Sequence, residues 1–217
     1  MKLINAKASP FGRKVAIALI EKGIAFETVF DEPWSDQTCT PQYNPLEQLP
    51  ILIADDGEIA FESTFILEWI ERRFPSPPLL PPNDDGILAA KRLQLLAEGV
   101  MMAAGSIVSE LSRPVPGTAW IERQKRKVVG GIDAIERQVR GKDFAIGNRF
   151  GQADIGIGCN LSMLTFLAAD LDLRIAEISW RENHPELAAY IDRLEARPSF
   201  RKTQPRSMAV DLTAVIG

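Results

Sequence analysis

Gln48-Leu49-Pro50-Ile51-Leu52-Ile53 and, a little further on, Glu62-Ser63-Thr64 are the segments on which the reading of this chain turns. Ile51-Leu52-Ile53 is a short apolar strand, Asp55-Asp56-Gly57 a hairpin turn, and Glu58-Ile59-Ala60 the returning strand. Glu62 to Arg73 then reads as a helix, supported by a Glu68/Arg72 pair at i,i+4. Strand, turn, strand and helix N-terminus offer a carboxylate and a hydroxyl at one place. That arrangement suits a short zwitterionic peptide.

Toward the N-terminus, residues 2–6 form a short strand, and Ser9-Pro10 opens a helix, with Ser as N-cap and Pro at the first helical position. Val15-Ala16-Ile17-Ala18-Leu19-Ile20 is apolar all round, so this helix is expected to be buried on most sides, and Gly23 stops it. Phe26 to Phe30 alternates like a second strand. Residues 31–47 hold three prolines and no period, which predicts a loop with one irregular helical turn. The order β-α-β-loop-β-β-α implies a small sheet covered by helices.

Toward the C-terminus, Pro75-Ser76-Pro77-Pro78-Leu79-Leu80-Pro81-Pro82 can neither continue a helix nor enter a sheet centre. It is a stiff boundary. The expected division is residues 1–76 as the mixed α/β domain, 77–85 as linker and 86–217 as an all-helical domain. Helices are expected over Ile87–Leu111, Thr118–Arg140, Gln152–Ala169 and Pro185–Arg197. In the second, Val128, Ile132, Ile135 and Val139 make a stripe facing a bundle.

Composition narrows the function classes. With 46% hydrophobic and 25% charged residues, the chain is an ordinary globular protein. A net charge of −4 gives no case for nucleic acid or an anionic membrane. No apolar run approaches a membrane span, and the start lacks a signal-peptide shape. Cys39 and Cys159 form no motif, and a reduced cytoplasmic setting is expected. One histidine, His184, rules out a histidine-rich metal site and is more simply the entry to a terminal helix at Pro185. No metal is therefore expected, and neither GxGxxG nor a Walker A loop is present.

A mixed α/β half, a proline-rich linker and a helical half together resemble the glutathione transferase superfamily, and particular residues strengthen the likeness. Ser9-Pro10-Phe11-Gly12-Arg13-Lys14-Val15 resembles the first-helix entry of serine-type bacterial members, theta- and zeta-like. Asn44-Pro45-Leu46-Glu47-Gln48-Leu49-Pro50 is similar to the family's Asn-Pro-x-Gly-Lys-Val-Pro, and Glu62-Ser63 to its acidic-Ser pair. Phe150-Gly151-Gln152-Ala153-Asp154-Ile155 resembles the buried capping motif of the helical half, with Gly151 where Ser or Thr is usual. His184-Pro185-Glu186-Leu187 through Arg197-Pro198-Ser199-Phe200 resembles its close.

The resemblance implies a thioredoxin-like N-terminal domain, a C-terminal helical bundle, glutathione as co-substrate, a hydrophobic electrophile as second substrate, and a homodimer. It implies that Ser9 donates a hydrogen bond to the thiolate of glutathione. Bringing a thiol from a pKa of about 8.5 to about 6.5 takes about 2.7 kcal/mol. One charge-assisted hydrogen bond supplies roughly 1.5–3 kcal/mol and a helix N-terminus roughly 0.3–1 kcal/mol. Ser9-Pro10-Phe11-Gly12 occupies the place of a Cys-x-x-Cys without either cysteine, so dithiol redox chemistry is not expected. The resemblance further implies a cis Leu49-Pro50 bond that exposes the Leu49 backbone to the cysteinyl unit, Glu62 and Ser63 on the γ-glutamyl end, and Gln48 near the glycyl carboxylate. There Gln48 and Glu47 depart from the family's Lys and Gly; Arg13 or Lys14, as helix-surface cations, could compensate. Phe11 is grouped with Gln48, Leu49, Pro50, Glu62 and Ser63 as a glutathione-binding residue, and Phe11 and Trp34 are also candidate lining residues of the electrophile pocket. Transfer to an electrophile, glutathione-dependent peroxidase, dehalogenase or isomerase chemistry, and a non-catalytic binding protein all remain open at this point.

Overall fold

The structure is a computed structural model and describes residues 1–170 and 179–208. Two stretches of the expected helical domain, 171–178 within it and 209–217 at its end, lie outside the described residues. Four strands, β1 (Lys2–Asn5), β2 (Glu27–Phe30), β3 (Ile51–Ile53) and β4 (Ile59–Phe61), form one sheet in the order β2-β1-β3-β4. β1 runs parallel to β2 and antiparallel to β3, and β3 pairs antiparallel with β4. The parallel pair is joined by α1 (Pro10–Glu21), and α2 (Ser63–Arg73) follows β4. This is the thioredoxin-like domain expected from the sequence. The irregular turn of the 31–47 loop is a single 3₁₀ turn at Thr40–Gln42.

The apolar girdle of α1 is explained by what lies on its two sides. Val15, Ala16 and Leu19 pack with Leu3, Leu52, Ile66 and Ile70 in the core under the sheet. Ile17 and Ala18 instead join Leu67 and the helical core. One helix thus serves two cores, so no face of it can be polar without a buried partner. Gly12 allows a second close approach: a Cβ there would fall 1.6 Å from Asn5 Oδ1 of β1.

The linker is tied at both ends. Lys22 Nζ donates to the carbonyls of Phe74 and Pro77, at 2.7 and 2.8 Å, and pairs with Glu71. Leu79 O accepts from Gln152 N at 2.8 Å. Beyond it come α3 (Asp84–Leu111), α4 (Thr118–Val139), α5 (Gln152–Asp170), α6 (Pro185–Glu195) and α7 (Pro198–Lys202). α3 starts a turn earlier than the periodicity suggested, because Asn83 caps it through Gly86 N and Asp84 and Asp85 fill its first turn. The final helix expected to Arg197 ends at Glu195, and Pro198 opens a separate one. Val128, Ile132, Ile135 and Val139 are all buried. Asp154 accepts from Gly151 N and Ala145 N, each at 2.8 Å, and from the Tyr190 hydroxyl, locking the start of α5 to the preceding loop and to α6.

Candidate functional site

A cleft of about 800 Å3 opens between the two domains. Ser9, Pro10 and Phe11 line it from the head of α1; Gln48 and Leu49 from the approach to β3; Glu62 and Ser63 from the head of α2; Glu98 and Met102 from α3. Of the residues expected in a site, Ser9, Phe11, Gln48, Leu49, Glu62 and Ser63 all face it. Pro50 does not. It is buried behind Leu49, and the Leu49–Pro50 peptide is cis. Pro50 therefore bears on the site only through the chain direction it imposes on Leu49.

Each of these residues is held by local chemistry. Ser9 is the N-cap of α1, and its Oγ accepts from Gly12 N at 3.2 Å. That bond uses a lone pair of the hydroxyl and leaves its proton free to donate. Before Leu49, the Asn44 side chain accepts from Leu46 N at 3.0 Å and donates to Gln48 O at 2.8 Å, so the loop is stapled from inside. Glu62 sits at φ 69°, a backbone region that costs a non-glycine residue on the order of 1–3 kcal/mol. Its carboxylate accepts from Thr64 N and Phe65 N at 3.0 and 3.1 Å and from Ser63 Oγ at 3.3 Å. Glu62 is thus itself the cap of α2, and Ser63, 2% exposed, lies at the first helical position.

Trp34 hangs over the cleft from the 31–47 loop, and one carboxylate organises that loop. Asp31 accepts from the hydroxyls of Thr38 and Thr40, each at 2.8 Å, and from Cys39 N and Sγ. Burial pushes the Asp31 carboxyl up, but these hydrogen bonds outweigh it and hold it at about 2. Burial and then the neighbouring Asp31 push the Cys39 thiol up, so its environment does not activate it.

Two expectations need correction. Arg13 and Lys14 are not surface cations and cannot reach out to a ligand carboxylate. Arg13 is 4% exposed and forks onto Glu195 at 2.9 and 2.8 Å. Lys14 is fully buried and pairs with Glu98, which also accepts from Gln94 Nε2 and Thr64 Oγ1. Glu98 was missed in the sequence; a lone carboxylate in an apolar helix, together with a lysine in an apolar helix, was the available signal. Met208 and Pro33 also line the cleft unannounced. Met101 is buried, and Ser106 donates to Met102 O.

With this geometry in view, comparison with known proteins is direct. Residues 3–78 match the family description "Glutathione S-transferase, N-terminal domain", and residues 118–193 match "Glutathione S-transferase, C-terminal domain". The chain belongs to the glutathione S-transferase family. An uncharacterized GST-like protein of Escherichia coli K12, YibF, is 32% identical over 94% of this chain and 98% of its own length. A solved glutathione S-transferase of Methylobacterium radiotolerans, in complex with glutathione sulfonate, is 42% identical with a TM-score of 0.89 and covers 96% of each chain. One from Methylobacillus flagellatus with glutathione bound is 31% identical, TM-score 0.86, over 94% of this chain and 99% of that one. Among the described residues of this transferase-family chain, no group of three or more His, Cys, Asp and Glu is placed to hold a metal ion, and no helix is long and apolar enough to cross a membrane.

Proposed function

We propose that this protein is a serine-type glutathione transferase that adds the thiolate of glutathione to an electrophilic small molecule. The observation that carries this reading is the convergence on one cleft of Ser9, the backbone of Leu49 and the head of α2. The γ-glutamyl carboxylate would meet the Ser63 N–H at the head of α2, where the helix end favours an anion. Its ammonium would meet the Glu62 carboxylate. The Leu49 N–H and C=O would pair with the cysteinyl unit as one more strand. The Ser9 hydroxyl, pinned through its lone pair, would donate to sulfur. The thiol proton passes to solvent, a sulfur lone pair forms the new bond to the electrophilic carbon, and a leaving group departs with its bonding pair.

The protein acts in the cytoplasm as a homodimer in this reading. Leu88 and Leu95, seven residues apart on α3, are 65 and 55% exposed, a stripe that a second copy would cover. Glutathione binding followed by calorimetry tests the reading, together with a glutathione-soaked crystal. Millimolar affinity or better, with sulfur within hydrogen-bond reach of Ser9 Oγ, is expected. Absence of binding at millimolar glutathione would refute it.

A further inference from the structure

We propose that the part of the cleft left for the second substrate selects neutral or cationic aromatic electrophiles and turns away anionic ones. This rests on the cleft being the transferase site described above, and adds to it the charge class of the substrate.

Three observations carry it. First, every charged residue lining the cleft is a glutamate: Glu47, Glu62 and Glu98. No Lys, Arg or His lines it among the described residues. Second, the two cations that α1 carries just after Ser9 are spent inside the protein, and Lys7, two residues before it, lines neighbouring hollows and not this cleft. Arg13 is forked onto Glu195, and the Lys14 ammonium lies behind Phe11, 5.4 Å from its ring centroid, against Glu98. Third, once Leu49 and the head of α2 are assigned to the thiol peptide, the wall that remains is largely apolar, with Phe11, Pro33, Trp34, Met102 and Met208, and Glu47 and Glu98 are its charged members. Trp34, 48% exposed, and Met102, 61% exposed, offer a π face and a polarizable thioether.

An anionic group entering this space leaves water, finds no charged donor and approaches the Glu47 carboxylate, Glu98 being paired with Lys14 and Glu62 with the ammonium of the bound peptide. A cationic group meets an indole face and the Glu47 carboxylate, both attractive. A neutral aromatic ring falls between, gaining stacking and apolar contact only. The selection is electrostatic, so it weakens as salt shortens the Debye length, which is about 10 Å at 0.1 M.

The test uses three unreactive ligands with one ring: a nitrobenzoate, the matching nitrobenzamide and its trimethylammonioethyl amide. Binding to the whole protein is followed by quenching of tryptophan fluorescence, and the Trp34→Phe variant identifies the part of the signal that comes from the cleft. The expected order of affinity is cation, then amide, then carboxylate, with the extremes about tenfold or more apart at low salt. The gap should shrink several-fold near 0.5 M salt, and Glu47→Lys should narrow it too. Equal or tighter binding of the carboxylate, no binding of any of the three, or an order indifferent to salt would each overturn the proposal. The corresponding aryl chlorides are then offered with glutathione. If the binding order holds and none is turned over, the transferase reading fails while the charge selection stands; if the carboxylate chloride reacts as efficiently as the cation, the selection fails.

Discussion

Lys14 on α1, without any exposed surface, carries its ammonium onto the carboxylate of Glu98 on α3 and so ties the thioredoxin-like domain to the helical one beside the cleft. Thr64 and Gln94 complete the set of donors to Glu98. The pair joins the helix that caps with Ser9 to the helix that supplies Met102.

Removing one partner of a buried pair strands the other charge. Lys14→Met is expected to destabilise the protein by about 3 kcal/mol, a fall in Tm of roughly 6–12 °C for a chain of this size. Lys14→Met with Glu98→Met should lose less than the single substitution. Thermal unfolding followed by circular dichroism reads both.

Ser9 has two roles that one substitution separates. Ser9→Ala removes the cap on Gly12 N and should cost about 1 kcal/mol of stability. If the hydroxyl also holds the thiolate, turnover on an aryl halide should fall about 10- to 100-fold, the equivalent of one charge-assisted hydrogen bond. Glutathione affinity should stay nearly the same. Unchanged turnover alongside the stability loss would leave Ser9 a cap and nothing more.

Gly151 departs from the Ser or Thr usual in its motif for a steric reason. A Cβ there would lie 2.6 Å from the carbonyl oxygen of Leu79 in the linker. Gly151→Ser, which restores the usual residue, is therefore expected to destabilise by about 1–3 kcal/mol, measured by urea unfolding.

The two thiols should differ little in the native state and greatly after mutation. Burial drives the Cys159 thiol up to about 12, and Cys39 is raised by burial and by Asp31, so both should react slowly with a disulfide reagent near pH 8. Asp31→Asn removes the charge and should speed Cys39 several-fold while leaving Cys159 silent until unfolding. Asp31 itself is depressed from 3.8 to about 2. A depressed carboxyl stabilises above its unfolded pKa and loses that contribution as pH falls through its folded one. Trp34 fluorescence should accordingly change between about pH 4 and pH 2 as its loop loosens, and Asp31→Asn should abolish that step.

The exposed stripe on α3 predicts the oligomeric state. Leu95→Glu places a charge on this stripe one heptad from Leu88. Sedimentation should show the unmodified chain as a dimer and the variant as a monomer at micromolar concentration.

Much of the fold was legible because local signals agreed with one another. Ser9-Pro10, the Asp55-Asp56-Gly57 turn and the Pro75–Pro82 run each have a conformational meaning that needs no tertiary context. The start of α3 was read too late, at Ile87, although its signal, Asn83 with Asp84 and Asp85, is equally local. The interior cations were not legible in the same way. A lysine among apolar residues reads as an exposed face until a carboxylate from another domain is shown beside it.

The sequence by itself determined the order of elements and placed Ser9, Phe11, Gln48, Leu49, Glu62 and Ser63 at the ends of elements that meet at the cleft, since element order follows from propensity, capping and apolar period along one segment at a time. Only the tertiary structure decided that Arg13 and Lys14 are consumed by Glu195 and Glu98, that Glu62 caps its own helix, that Gly151 makes room for Leu79, and that the cleft is left with glutamates as its only charged lining residues among those described. The reason is physical: the fate of a charge depends on which distant group shares its desolvated space, and that pairing is set by how α1 packs against α5 and so brings Lys14 to Glu98 of α3 and Arg13 to Glu195 of α6, not by the residues next to it in the chain.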